Sequence, residues 1–493
     1  MDSITMTAEQ QLPEGWETQP LQNLLSYVIG GDWGKDENYD DENFILVNCI
    51  RGAEFRNWKN DKASTAALRK IKISSLQNRQ IQEDDILIEI SGGGPEQPVG
   101  RTVLITKQVL SNFNNPVVCT NFLRLIRPNE KINSTFLNYY LSYFYLSGKI
   151  ISYQAGSNNL RNLKFKEYER IEIPVPPIET QQAIVNKIES LFDEIDEGIG
   201  RLKTAAQQIQ QYRQSLLKNA FNGELTKEWR SKHADALPSE NELLAQIQTT
   251  REQHHAQQLA DWQTAISQWE QNGKEGKKPS KPILKKITTN ISDNEIKIPD
   301  KYWFVGLFGD LVDIKSNLVK PDEYLDFPHI APDNIEKNTG KLLSFKTIRE
   351  DEVISPKHYF YAGQIIYSKI RPNLSKLVLV DFNGLCSADM YPLESDVFNH
   401  YFLKYIMLSR YFVKKASTAG SRSVLPKINQ SELGMIPIPI CSLAEQTQIV
   451  AILESKLTAC DQLAAELAKQ LKQAELLKQA VLKAAFSGSL LDK

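Results

Sequence analysis

Apolar residues recur at a spacing near 3.5 through two long stretches of the chain, and the two stretches match each other. In the first they fall at Ile188, Leu191, Ile195, Ile199, Leu202, Ala205, Ile209, Tyr212 and Leu216. In the second they fall at Leu453, Leu457, Cys460, Ala464, Leu467, Leu471, Ala474, Leu477 and Val481. That period places each set on one helix face and matches the seam of a coiled coil. Residues 184–225 align with 449–490 without a gap at an offset of 265, and about a third of the positions are identical. Loops drift in length and this segment does not, so its length carries information. At about 1.5 Å per residue each copy is a rod of roughly 50–60 Å. Equal lengths favour pairing of the rods with each other, antiparallel, with a module at each end; two helices lying on separate cores is the other reading.

The repeat extends beyond the rods. Each half opens on a proline, an acidic residue and an aromatic, Leu12-Pro13-Glu14-Gly15-Trp16 and Ile298-Pro299-Asp300-Lys301-Tyr302-Trp303. Short β-rich runs follow at 44–50, 85–90, 101–106 and 121–126, then at 327–335, 361–370 and 376–382. Turn residues between them predict a mixed, partly open sheet rather than a parallel βαβ wind. Aromatic amphipathic helices are expected at 134–150 and 397–416, each followed by a small-residue loop, Ala155–Asn159 and Ala419–Ser423. Proline runs at 173–182 and 436–448 then enforce an extended approach and set where each rod begins. Gly223 and Gly488, each just past a lysine-bearing last turn, predict where the rods stop. Residues 226–290 have no counterpart; they read as a Gln-rich helix from about 240 to 272 and a basic, proline-containing linker.

Bulk properties narrow the class. A chain of 493 residues exceeds one core, and three or four folding units are expected. The first residues lack the basic start and apolar run of a signal peptide, and no stretch has the length of a membrane span. Cys49, Cys119, Cys386, Cys441 and Cys460 show no paired spacing, which fits a reducing cytoplasm and argues against structural zinc. The net charge of −2 removes any global nucleic-acid signature, so a DNA-binding surface would have to be locally basic.

Catalytic chemistry is not legible. Gly92-Gly93-Gly94-Pro95 lacks the lysine and following helix of a phosphate loop. No Asn/Asp-Pro-Pro-aromatic methyltransferase signature occurs, and the six histidines are unclustered. Pro332-Asp333 with Glu336-Lys337 has the composition of a nuclease set but is too tightly spaced for strands to converge on a metal. The chain is expected to bind rather than catalyse, with no catalytic residue and no metal site.

Repeat and motifs together resemble the specificity subunit (HsdS) of type I restriction-modification systems. IPVPPIETQQAIVNKIE (173–189) and AFNGELTKEWR (220–230) resemble the start and end of that family's central conserved helix, and LPEGWETQPL (12–21) resembles its domain opening. The second copy is looser, with two extra residues in IPIPICSLAEQTQIV and only a skeleton in 486–490. The resemblance implies an α+β chain of two β-rich target-recognition domains joined by two long helices, paired as an antiparallel coiled coil with a pseudo-twofold repeat. Its parts would be 1–172, the first recognition domain; 173–225, the central helix; 226–290, the linker; 291–435, the second recognition domain; and 436–493, the C-terminal helix. Each domain would read one half of a bipartite double-stranded DNA site, and the helices would space the domains and dock two methyltransferase subunits. Restriction (helicase-nuclease) subunits would join through that methyltransferase core. AdoMet, ATP and Mg would belong to those partners, with no cofactor on this chain. A rod of about 50 Å is near one and a half turns of B-DNA, which accommodates two half-sites and an untouched gap. A non-DNA scaffold with protein-binding domains, or a reader from another multi-subunit restriction type, are the alternatives.

Base edges are read by Arg, Lys, Asn and Gln, and phosphates are held by cations and small polar groups. In the first domain these criteria select Arg51, Arg56, Asn57 and Lys59 around Trp58, then Arg69 and Lys70, then Asn158, Asn159 and Arg161. In the second they select Lys315, Asn317 and Lys320, then Lys369, Arg371, Asn373 and Lys376, then Arg422 and Lys427. A solvated basic surface is the alternative for any one of them, and Trp58 could equally be core.

Overall fold

The computed structural model describes residues 12–491 apart from 95–96, 157–159, 277, 290, 292, 300 and 420–425. Among the described residues the longer helices are, in chain order, α1 (Ser134–Leu146), α2 (Ile178–Phe221), α3 (Glu240–Gln271), α4 (His400–Leu408), α5 (Arg410–Ala419) and α6 (Leu443–Phe486). The chain forms two compact units, Met1–Thr204 with Leu467–Lys493, and Ala205–Glu466. Each 44-residue helix, α2 and α6, gives one part of its length to each unit.

The first unit carries an antiparallel sheet in the order Leu25–Gly30, Leu123–Pro128, Ile86–Glu89, Thr102–Leu104. A second sheet sets Phe44–Ile50 antiparallel to Ala67–Lys72 and parallel to Val117–Cys119. The second unit repeats the plan. Asp313–Ile314, Met390–Glu394, Ile365–Ser368 and Leu377–Leu379 form one sheet. In the other, Pro328–Ile330 runs parallel to Gly384–Cys386. The fold is α+β, built from small, mainly antiparallel sheets. The four-stranded sheet of the first unit is buried on both faces, with Ile86, Ile88 and Ile126 in one apolar cluster and Leu87, Val103 and Leu125 in another.

Both proline runs form strands that pair with the chain opening of their own unit, Glu172–Val175 with Glu17–Pro20 and Pro437–Ile440 with Phe304–Leu307. One turn into each long helix a fully buried glutamine joins the start of that helix to the start of the aromatic helix. Gln181 Oε1 accepts from the Asn133 N–H at 2.7 Å, and its Nε2 donates to the Pro176 carbonyl at 2.9 Å. Gln446 does the same with the Asn399 N–H (2.7 Å) and the Cys441 carbonyl (2.9 Å). Asn133 and Asn399 in turn cap α1 and α4 by accepting from backbone N–H groups.

Three expectations need correction. The aromatic helix expected over 397–416 is two helices, because Ser409 turns extended (ψ 146°) and its hydroxyl caps α5 by accepting from the Phe412 N–H. Its counterpart ends at Leu146, with left-handed Gly148 (φ 77°) leading into a 3-10 turn, Lys149–Tyr153. Tyr212 and Leu477, placed on the apolar seam, are about half exposed (48% and 52%). Beside them Arg213 and Lys478 turn inward to carboxylates, Asp461 within the second unit and Asp196 within the first. In each unit, therefore, an ion pair between α2 and α6 occupies a place where hydrophobic contact was expected.

The helix α3 packs into the second unit. A capping box of Ser239 and Glu242 starts it, Leu243 and Ile247 enter the core, and buried Arg251 reaches Asp313 (3.4 Å) and Asp396 (3.2 Å). All five cysteines are free and buried. Burial pushes the Cys49 thiol up to about 12, and lifts those of Cys119, Cys386 and Cys441 above the ordinary thiol range.

Candidate nucleic-acid interface

In the first unit the structure sorts the candidate cations into tethered and free. Arg51 forks onto Glu54, whose side chain is almost fully buried, with its closest contact at 2.5 Å, and also donates to the Thr65 carbonyl. The hydrogen bond to Glu54 raises the Arg51 pKa, so this guanidinium is an internal brace. Arg69 lies 4.3 Å over the Trp33 ring and donates to the Trp33 carbonyl. Lys59 is bound to Asp196 of α2. Asn57 donates to Asp61 at 2.8 Å, and Trp58 is half-buried with its ring edge-on to Phe55 at 5.8 Å. Arg161 donates to Gln154 at 3.4 Å. Arg56 is exposed and has no side-chain partner among the described residues, and half-buried Lys70 likewise keeps its ammonium free. Asn158 and Asn159 lie outside the described residues.

The second unit offers a more open set. Lys315 pairs with Glu394 at 2.6 Å, and Lys376 donates to the Pro332 carbonyl at 2.7 Å with Asp333 at 3.3 Å. Lys369 donates to the Ala388 carbonyl and shares Asp389 with Lys427. Asn317 and Lys320 are exposed. Arg371 and Asn373 ride on a strained turn: Arg371 (φ 48°) and Ser375 (φ 42°) are left-handed and bracket the 3-10 turn Pro372–Leu374. The Arg371 N–H donates to the Pro426 carbonyl at 2.8 Å, while its side chain and that of Asn373 stay exposed without partners among the described residues. Such a turn fixes the backbone and leaves a guanidinium and an amide facing outward, the two groups suited to bidentate contacts with guanine and adenine. Arg422 lies outside the described residues.

Sequence reading missed a groove of about 620 Å³ in the second unit. Its lining includes Ser316, His358, Lys369, Tyr391 and Asn429. These residues come from five separate stretches, and of those named only Lys369 is among the sequence candidates. Burial and the nearby Lys369 lower the His358 pKa, so the imidazole is neutral at neutral pH. His254, Asp313 and Glu394 also converge within 4.8 Å. Arg251, Lys285 and Lys315 already meet these carboxylates, which makes the cluster an ion-pair network.

Fold and surface define a duplicated chain that presents polar and cationic side chains from two like α+β domains. The family model described as type I restriction modification DNA specificity domain matches residues 13–203 and 303–473, one match per domain copy. The chain is 34% identical to the type I restriction enzyme EcoDI specificity subunit of Escherichia coli over 352 residues, 71% of this chain and 69% of that protein. It is 28% identical to the EcoKI specificity subunit of Escherichia coli strain K12 over 225 residues, 45% of this chain and 46% of that one. A chain from a solved structure titled for complex assembly and conformational transition of the type I R-M system superimposes with a TM-score of 0.61 at 15% identity. That match covers 97% of this chain and 100% of the other, and establishes likeness of fold. The chain belongs to the type I restriction-modification DNA specificity family. Among the described residues no helix is long and apolar enough to cross a membrane.

Proposed function

We propose that this chain is the sequence-reading subunit of a type I restriction-modification complex, each recognition domain reading one half of a bipartite DNA site. The observation that carries this reading is that the family match falls once on each copy of the duplicated domain. The two long helices pair antiparallel as a coiled coil, set the gap between half-sites and dock two methyltransferase subunits. Restriction subunits join through that core. The chain itself contributes no catalytic group; adenine methylation and ATP-driven cleavage, with AdoMet, ATP and Mg, belong to the partners. A target adenine must leave the base stack to be methylated, so its pocket lies on a methyltransferase.

Within the domains, Arg56 and Lys70 on one side, and Asn317, Lys320, Arg371 and Asn373 on the other, are the primary DNA contacts, since no partner among the described residues holds their side chains. Asn158, Asn159 and Arg422 extend these sets. Lys315, Lys369, Lys376 and Lys427 are held by acceptors that phosphate can displace, which suits a positioning role along the backbone. Local clustering of this kind reconciles DNA binding with a net charge of −2. Long-read mapping of modified adenines in the source genome tests the reading. A two-part motif with a fixed gap that disappears when this gene is deleted is the expected result. A continuous motif, or none that depends on this chain, would refute it.

A further inference from the structure

Within each unit one aspartate on a long helix joins three elements, and the two aspartates are related by the repeat. Asp196 of α2 accepts from Lys478 of α6 at 2.5 Å and also from Lys59 of the first recognition domain. Asp461 of α6 pairs with Arg213 of α2 and, at 2.7 Å, with Lys341 of the second recognition domain. Asp461 lies 265 positions after Asp196, and Lys478 lies 265 after Arg213, the same offset that aligns the two helices. Each helix therefore supplies the acid of one pair and the base of the other.

The two domain lysines break the pattern. Lys341 lies 282 positions after Lys59, so the repeat does not generate them as a pair. Lys59 sits in the short helix Trp58–Asp61, whereas Lys341 follows Gly340 in a turn of the other domain. Gly340 has a φ of 70°, and a Cβ there would come within 2.6 Å of Lys404. Two different segments have thus each placed an ammonium on the same helix position. The lysines themselves remain exposed, at 73% and 55%. Ion pairs this open to solvent contribute little stability, so folding energy does not account for the coincidence.

We propose that Asp196 and Asp461 are equivalent positioning residues that clamp each recognition domain to the helices through Lys59 and Lys341, and thereby restrict the gap at which the two half-sites are read. The inference rests on the DNA-reading assignment above. It also changes the role of Lys59, from a DNA contact to a brace between domain and helix.

The test uses the assembled methyltransferase complex and a plasmid library that carries the native half-sites at every spacing around the native gap. Methylation is read by long-read sequencing for the unaltered chain, Lys59→Ala, Asp196→Asn and the double variant. The clamp predicts that each single variant raises methylation at gaps one base pair off native by roughly two- to fivefold relative to the native gap, the range an exposed ion pair can supply. The double variant does no more than either single one, Lys59→Arg behaves as unaltered, and the half-site sequences do not change. If Lys59→Ala instead weakens binding at all gaps with a shallower salt dependence, and Asp196→Asn has no effect, Lys59 is a phosphate contact and the clamp is overturned. An unchanged gap profile in every variant overturns it as well. Failure of the unaltered complex to methylate any bipartite site removes the DNA-reading assignment itself, a separable outcome.

Discussion

The long helices end in the same way in both units, yet among the described residues only the second unit builds a charged core beneath that end. In the first, left-handed Gly488 meets Pro13, and Phe486 sits among Phe136, Tyr140 and Tyr143. In the second, left-handed Gly223 meets Pro299, and Phe221 packs on Phe402. Here Glu445 is also sealed inside (1% exposed), accepting from Arg230 at 2.5 Å, Thr226 at 2.7 Å and the Trp303 indole at 2.9 Å. The Arg230 guanidinium completes the network by donating to the Gly223 carbonyl at 2.8 Å. At the position equivalent to Glu445 the first unit has Thr180, 265 residues earlier. The shared glycine, proline and phenylalanine are the minimum for closing a helix against its domain. The ion network is an addition that makes the second closure specific and also fragile, because each partner is buried only by virtue of the others.

The sharpest way to break this comparison is Glu445→Ala, which strands the buried Arg230 and should cost about 3–5 kcal/mol. Thr180→Ala should change stability by less than about 0.5 kcal/mol. Thermal and denaturant unfolding of the full chain reads both, and equal effects would contradict the asymmetry. Next come Gly223→Ala and Gly488→Ala. Their Cβ atoms would lie 2.2 Å and 2.1 Å from proline Cγ atoms, at φ values of 74° and 83°. Each should cost about 1–3 kcal/mol, and the two costs should match, since this part of the closure is shared.

A third comparison concerns reading rather than folding. Arg371→Ala should relax one half-site by about 1–3 kcal/mol of discrimination while leaving the other half and methyltransferase assembly intact. Arg56→Ala should affect only the opposite half. Loss of assembly with unaltered site preference would sink the assignment of Arg371. The smallest effect is a pH dependence. Burial would raise the Asp196 carboxyl, but hydrogen bonds from Lys478 and Lys59 outweigh it and hold the pKa below its ordinary value. A group depressed in the folded state stabilises above its unfolded pKa, near ~3.9, and loses that contribution as pH falls through the folded value. Asp196→Asn should therefore be slightly less stable than the unaltered chain at neutral pH, and the unfolding midpoints should converge in acid. A difference that persists below that range would assign the effect to packing.

The rods, their ends and the duplicated domains were legible because they rest on local spacing: a 3.5-residue apolar period, proline runs, and glycine after a last turn. The helix α3 was legible from its Gln-rich composition, expected over about 240–272 and found at Glu240–Gln271. The break at Ser409 was not, since the apolar pattern runs across it and a single hydroxyl cap decides it. Gln181 and Gln446 were visible as letters of two motifs, but their carbonyl and N–H partners are supplied by the fold. The site was the least legible part. Whether a lysine faces solvent or a carboxylate depends on residues far away in sequence, as with Lys59 and Asp196, 137 positions apart, or Lys427 and Asp389, 38 apart. Composition finds the cations; only the fold tells which of them are already engaged.

The buried cysteines have a practical corollary. With Cys49 held up to about 12, and Cys119, Cys386 and Cys441 also raised by burial, almost no thiolate exists on these side chains at neutral pH. These four thiols should resist alkylating reagents while the chain stays folded. A thiol introduced at an exposed site in each recognition domain would then take up a fluorophore or spin label selectively. Inter-label distances could be followed directly as DNA is engaged.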